Sequence, residues 1–271
     1  MRQLKPQALE RRRIDILGLL VDELTLDEAV ARIEEWIKQR RETPTTPARR
    51  VVTLNPEYVM AARRDPELQR IVNSADMTTP DGIGLILAGR ILRHPFRGRV
   101  TGVALSHALA QRSAQTGVRF FLLGAGPGIA EEAALRFTQL YPGISIVGVF
   151  DGKAGPEGDA ESLARIRAAQ PDLVLVAYGM VKQDRWALRN IEESGATVAI
   201  GVGGVLDYVS GRISLAPPLL RRLGLEWAYR LYKEPWRWRR QVALLGFVWA
   251  VACQSTINLK NFLYQKFRAA R

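Results

Sequence analysis

Phe120-Phe-Leu-Leu-Gly124-Ala-Gly126-Pro-Gly128 is the stretch on which the fold turns. Four apolar residues with no polar alternation read as a strand covered on both faces, and the glycines behind them read as a tight turn into a helix. Working outward, the same pattern recurs. Val51–Leu54 ends at Asn55-Pro56, a turn that starts a helix, and Ile144–Val149, Leu173–Ala177 and Thr197–Ile200 follow, each separated by one helix. Near the start, Ile14–Leu17 is a short apolar segment. Thr25-Leu-Asp-Glu28 supplies a capping box for a helix to about Gln39, and the charged, Pro/Thr-rich residues 40–50 read as a loop. Strand–helix alternation predicts an α/β fold: a doubly wound, mainly parallel sheet with helices on both faces and ligands at the carboxyl ends of its strands.

Composition narrows the class. An apolar fraction of 47% with 24% charged residues, over 271 residues, excludes wholesale disorder and suits one large domain with an appendage. A single Cys excludes a disulfide framework, and two widely separated histidines, His94 and His107, make a His-built metal centre improbable, so neither is assigned chemistry. No signal-like region opens the chain, and Val242–Cys253, the longest apolar run considered, is too short to cross a bilayer, so the reading is cytoplasmic.

The charge is lopsided. Of the net +12, residues 212–271 carry +10, residues 1–13 carry +4, and residues 14–211 carry −2. This divides the chain into a basic N-terminal tail (1–13), an α/β core (14–211) and a helical basic appendage (212–271). A basic end implies an anionic partner there. Trp227, Trp236, Trp238 and Trp249 share that end with Phe247 and the short apolar run, the company of an interfacial helix lying on a membrane. A helix pair packed on the core, with its cations solvated, is the bland alternative. Nucleic acid is disfavoured because no recognised binding motif accompanies the charge.

Polar clusters stand at four strand ends. The Gly124, Gly126 and Gly128 turn suits a nucleotide diphosphate or is a plain structural turn; for a dinucleotide fingerprint the third glycine should stand where Ile129 does. Thr53 and Asn55 close one strand. Asp81, in Thr79-Pro80-Asp81-Gly82-Ile-Gly84, is either a helix N-cap or a cleft carboxylate able to take a proton from an attacking hydroxyl. Lys182 and Gln183 follow a third strand, and Gly201-Val-Gly203-Gly204-Val-Leu-Asp207 follows the last.

Taken together these residues resemble the WecG/TagA/CpsF family of bacterial glycosyltransferases. The resemblance rests on Thr53-Leu-Asn55-Pro-Glu57, the Asp81-Gly82-Ile-Gly84 turn, Arg99-Val-Thr-Gly102, Lys182-Gln183, the Gly203-Gly204 motif with Asp207, and Gly224-Leu-Glu226-Trp227-Ala-Tyr229-Arg230 continuing to Glu234-Pro235-Trp236-Arg237. It covers nearly all of residues 14–250 in the family's order. Val181 departs from a usual Pro, Asp184 from a usual Glu, and Leu215 from a basic residue often found before Ala-Pro.

The resemblance implies inverting, metal-independent transfer of N-acetylmannosamine or a related sugar from a UDP donor to undecaprenyl-diphosphate-linked N-acetylglucosamine, in teichoic acid or surface polysaccharide synthesis. It implies no cofactor, and a peripheral position on the inner face of the cell membrane. By motif it makes Asp81 the general base, with Thr53 and Arg99 beside it. Asn55, Gly82, Lys182, Gln183, Gly203, Gly204 and Asp207 become donor contacts, to which the residue reading adds the Gly124/Gly126 turn, and Arg230, Arg237 and Arg240 of the appendage meet acceptor diphosphate. Self-association stays open. The competing expectation is a soluble NAD(P)- or nucleotide-sugar-dependent oxidoreductase built on the Gly124–Gly128 turn.

Overall fold

The computed structural model describes residues 11–217, 219–220, 223–233, 235 and 238–269, with the side chains of 230, 239–241 and 261–269 outside that description. Residues 1–10 of the basic N-terminal stretch and Arg237 lie outside the described residues. The chain opens with an antiparallel hairpin, β1 (Arg13–Ile16) and β2 (Leu19–Asp22), and then α1 (Leu26–Glu42). There follow β3 (Arg49–Leu54), α2 (Pro56–Ala62), α3 (Pro66–Asn73), β4 (Met77–Pro80), α4 (Ile83–Ile91) and α5 (Gly102–Thr116). The second half runs β5 (Arg119–Gly124), α6 (Ile129–Leu140), β6 (Ser145–Phe150), α7 (Asp159–Ala169), β7 (Leu173–Ala177), α8 (Lys182–Ser194), β8 (Val198–Gly201) and α9 (Val205–Ser210). A short appendage helix, Glu226–Lys233, and a long C-terminal helix, Trp238–Ala269, complete it.

β3 to β8 form one six-stranded parallel sheet in the order β4-β3-β8-β7-β5-β6, the doubly wound architecture expected. Alternate strand residues feed opposite cores. Val51, Phe120, Leu122, Leu175 and Ile200 pack under α1, α5, α6 and α9, whereas Val52, Leu54, Phe121, Leu123, Val174 and Val176 pack under α2, α3, α7 and α8. That two-sided burial is why the central strands read as unbroken apolar runs. At the edges the rule loosens. β6 is only half-buried, and β4 is shielded by the hairpin, whose buried Asp22 accepts the Thr78 N–H at 2.7 Å.

Three expectations needed correction. The region between β3 and β5, where no strand was expected, holds one strand and four helices, because β4 is built from Met77-Thr-Thr-Pro and carries no apolar run. The loop placed at 40–50 is confined to 43–48: α1 runs on to Glu42, held by Arg41, whose guanidinium forks onto Asp172 at 3.1 and 2.7 Å. The apolar run at the C-terminus does not stop at Cys253. Residues 242–259 are uncharged, and Val242–Lys260 is long and apolar enough to cross a membrane by length and composition. Gln254, Ser255 and Thr256 interrupt apolarity without introducing charge, so the helix is longer than its apolar core suggests. One stripe of it is buried, with Phe247, Ala250 and Val251 against the body and Gln254 bonded to the hairpin at Leu17 and Asp15.

Candidate active site

A cavity of about 1280 Å³ opens at the carboxyl ends of β3, β4 and β8, between α4, α5 and the appendage. At the end of β3, the buried Thr53 hydroxyl donates to the Gly201 carbonyl at 2.7 Å, tying β3 to β8 beneath the cavity. Asn55 caps α2, its Oδ1 accepting the Tyr58 N–H at 2.9 Å, with Pro56 in the first helical position.

Asp81 follows β4. Its own N–H donates to the Leu54 carbonyl at 2.7 Å, and its carboxylate Oδ2 accepts the Gly102 N–H at 3.1 Å. Gly102 opens α5, so the carboxylate sits at the positive end of that helix dipole. Asp81 therefore does accept a helix N-terminal amide, but from α5; α4, the helix next in sequence, has Gly82 at its N-cap and no side-chain cap. Two glycines permit this. Gly82 adopts φ +94°, and a Cβ on Gly84 would lie 2.6 Å from Pro56 Cγ.

Arg99 lines the same cavity and is presented by a segment whose Val100 N–H donates to the Pro80 carbonyl at 3.0 Å. Its guanidinium forks onto Glu226 of the appendage, Nη1 to Oε2 at 3.2 Å and Nη2 to Oε1 at 3.4 Å. On the opposite wall, Gln183 is buried at the first turn of α8 and accepts the Gly203 N–H on Oε1 at 2.8 Å, which fixes the Gly203-Gly204 turn. Behind that wall the Tyr58 hydroxyl donates to Asp184 Oδ2 at 2.6 Å, both side chains buried. Burial pushes the Asp184 carboxyl up to about 6, against the opposing pull of the Tyr58 hydrogen bond and nearby Arg50. Burial, reinforced by the adjacent carboxylate, pushes the Tyr58 phenol up as well.

The structure thus brings Thr53, Asn55, Asp81, Gly82, Arg99, Gln183, Gly203 and Gly204 around one cavity. Lys182, Asp207, Gly124 and Gly126 are not among its lining residues. Lys182 is exposed at the start of α8, and Asp207 lies on α9. Gly124 serves packing: at φ +97° its hydrogen faces the end of β7, where a Cβ would come within 2.9 Å of the Ala177 carbonyl carbon. Arg230 and Arg240 belong to the two appendage helices, their side chains outside the description.

Several lining residues carried no role in the sequence. Tyr58, Tyr208, Met180 and Glu226 are among them, as is His107, on one face of α5 with Val103 and Ala104; Trp227, read as an interfacial aromatic, lines the cavity too. His107 Nδ1 shares a hydrogen bond of 2.8 Å with the Tyr141 hydroxyl, and burial lowers its pKa, which favours the neutral ring. His107 stands at i+3 from Ala104 and i+4 from Val103, and that spacing was the available signal for the face. Among the described residues no group of three or more His, Cys, Asp or Glu could hold a metal ion. Among the described residues, the Asp, Glu, Lys and Arg side chains lining the cavity are Asp81, Glu57 and the Arg99–Glu226 pair. Such a set can take a proton from a substrate hydroxyl at Asp81, and it can meet an anionic group only through Arg99, once Glu226 gives that guanidinium up.

Comparison with known proteins agrees with this arrangement. The chain is 34% identical over 201 residues to an N-acetylglucosaminyldiphosphoundecaprenol N-acetyl-beta-D-mannosaminyltransferase of Bacillus spizizenii, covering 74% of this chain and 77% of that protein. A Bacillus subtilis protein of the same name is 32% identical, with 78% and 82% covered. One from Staphylococcus aureus is 30% identical, with 84% and 86% covered. These matches displace the oxidoreductase alternative, whose glycine turn also stands apart from the cavity lining. The profile of the glycosyl transferase WecG/TagA/CpsF family matches residues 14–261, nearly the whole of the described chain, and the protein belongs to that family of glycosyltransferases.

Proposed function

We propose that this enzyme transfers N-acetylmannosamine, or a close relative, from a UDP donor to N-acetylglucosamine carried on undecaprenyl diphosphate. The observation that supports the reading best is Asp81: a carboxylate on the cavity wall, oriented by the Gly102 N–H and sharing the cavity with Arg99. Asp81 takes the proton of the acceptor's attacking hydroxyl as that oxygen bonds to the anomeric carbon. The bond from that carbon to the diphosphate oxygen breaks on the opposite face, so the configuration inverts, and UDP departs with the electron pair. Arg99 meets the charge that develops on the leaving diphosphate, exchanging Glu226 for phosphate oxygens, and the Gly203-Gly204 turn contributes close backbone approach. No metal is required in this scheme because cationic and N–H groups carry the neutralisation. In this reading Arg230, Arg237 and Arg240 of the appendage meet the acceptor diphosphate, while Asp207 and Lys182, on α9 and α8, lie outside the cavity lining.

The test is Asp81→Asn, assayed with the lipid-linked acceptor and a panel of UDP-sugars, products read by mass and by anomeric configuration. A positioned base contributes about 10²–10⁴-fold, and a loss of that order is expected; near-full activity, or a retained anomer, overturns the assignment.

A second reading concerns place. We propose that residues 212–271 bring the enzyme onto the cytoplasmic face of the cell membrane. The uncharged face of the C-terminal helix exposes Val242, Leu245, Val248 and Trp249, and cations bracket it in sequence at Arg239, Arg240 and Lys260. Because its other stripe is packed on the body, this helix lies along the surface rather than crossing the bilayer.

A further inference from the structure

We infer that the cavity has an apolar arm, between α4 and the C-terminal helix, that holds the lipid-chain end of the acceptor next to its diphosphate. The inference rests on the proposed reaction and adds to it a place for the hydrocarbon.

The geometry begins at Asp81. α4 starts two residues later, so its side chains lead away from the carboxylate. Ile83, Leu87 and Ile91 occupy one face at i, i+4 and i+8, and all three line the cavity. From Ile83 to Ile91 the helix rises about 12 Å. The C-terminal helix accompanies it in the same direction. Phe247 Cε1 stands 3.8 Å from where a Cβ of Gly84 would be, and eight residues on the Ser255 hydroxyl donates to the Ile91 carbonyl at 3.3 Å. Between these two contacts the facing residues of the C-terminal helix, Val248 and Val251, also line the cavity.

Among the described residues, no charged side chain walls this arm. Its residues are aliphatic, and Leu87, Ile91 and Val248 remain 47%, 48% and 61% exposed, more apolar surface than a helix–helix seam leaves open. The opposite end of the same cavity presents Asp81, Arg99 and Gln183. A ligand matching the whole must be polar at one end, with a group for Arg99 to meet, and hydrocarbon at the other, in one continuous molecule. A polyprenyl diphosphate has that order of parts, whereas a free nucleotide sugar leaves the arm empty. The arm also opens alongside the exposed Leu245 and Trp249 stripe, so a chain leaving it enters the apolar layer on which that stripe would rest.

The experiment titrates the full chain with geranyl, farnesyl and geranylgeranyl diphosphate in detergent-free buffer, following the fluorescence of Trp227 and Trp238, which line the cavity, and checking by calorimetry. Affinity is expected to rise about tenfold or more across the series as each added unit is buried. In the double variant Leu87→Asn/Val248→Asn the dependence on chain length should flatten to about twofold, while Leu87→Met/Val248→Ile keeps it. Both positions are partly exposed, so the fold tolerates the changes; a thermal melt confirms it. Equal affinity across the series in the wild type, or an unchanged slope in the Asn variant, overturns the arm, including the case where that variant loses only binding to vesicles. Chain-length-dependent binding without sugar transfer to any acceptor supports the arm and overturns the proposed reaction, so the two failures are told apart.

Discussion

Asp184 stands behind the cavity wall with its carboxyl enclosed and bonded to Tyr58, and its acidity carries a stability prediction. Its folded pKa is raised from 3.8 to about 6, so the folded state holds the proton more tightly than the unfolded chain does. The stabilisation this represents is complete below the unfolded value and is lost as pH climbs through about 6. Wild type minus Asp184→Asn, followed by denaturant unfolding from pH 4 to pH 8, should therefore fall with rising pH, by roughly 3 kcal/mol at most. A flat difference, or one that rises, would mean the carboxyl is ionised in the folded protein. At this scale the sequence was partly legible. Asp81 was read as the N-cap of the helix that follows it or as a cleft carboxylate; α4 carries no side-chain cap, and the carboxylate instead lines the cavity and accepts the Gly102 N–H of α5, whose own N-cap is Thr101. Which helix donates depends on how α5 returns to β4, a tertiary fact with no local signature. The Arg99–Glu226 fork was illegible for the same reason: the two residues stand 127 positions apart. Both lay inside quoted motifs, yet nothing local pairs them.

Elements were readable where periodicity and burial agree. The unbroken runs of β5 and β7 follow from being covered on both faces, and the Thr25/Glu28 capping box forms as written. β4 escaped because an edge strand of Met-Thr-Thr-Pro satisfies its backbone through β3 and the hairpin rather than through an apolar pattern. The packing of α4 against α2 and the C-terminal helix shows how one glycine sets an element's position. Gly84→Ala gains about 1 kcal/mol of helix propensity. It also drives a methyl to 2.6 Å from the Pro56 ring, whose atoms cannot swing away. Overpacking of that kind costs about 1–3 kcal/mol, so the net effect is destabilising. Gly246→Ala is the contrast: its Cβ meets only the mobile end of Met60 at 3.2 Å, and propensity should win. Urea midpoints for the two variants should move in opposite directions. A stable Gly84→Ala would mean that α4 is free to slide, and with it the floor of the arm beside Leu87.

For the whole molecule, charge and apolar surface converge on one segment of the chain. The core from residue 14 to 211 is nearly neutral while the C-terminal 60 residues hold +10, and the exposed stripe of the C-terminal helix lies in that same segment. Coulomb attraction to an anionic leaflet amounts to about 1 kcal/mol per basic residue and is weakened by salt. Insertion of Trp and Ile side chains is not weakened by salt, so the two contributions separate. Trp249 and Ile257 are 74% and 57% exposed and neither lines the cavity. Replacing both by Asp removes apolar contact and adds repulsion. Flotation with vesicles containing phosphatidylglycerol should then fall about tenfold or more, at low and at high salt alike. Turnover of a detergent-solubilised acceptor should stay within about twofold, because the double change leaves Asp81, Arg99 and the arm intact. If flotation persists in the double variant and disappears only in high salt, the helix is not the contact. Attachment would then rest on the basic charge alone, and the cavity would have no fixed orientation toward the lipid it is proposed to serve.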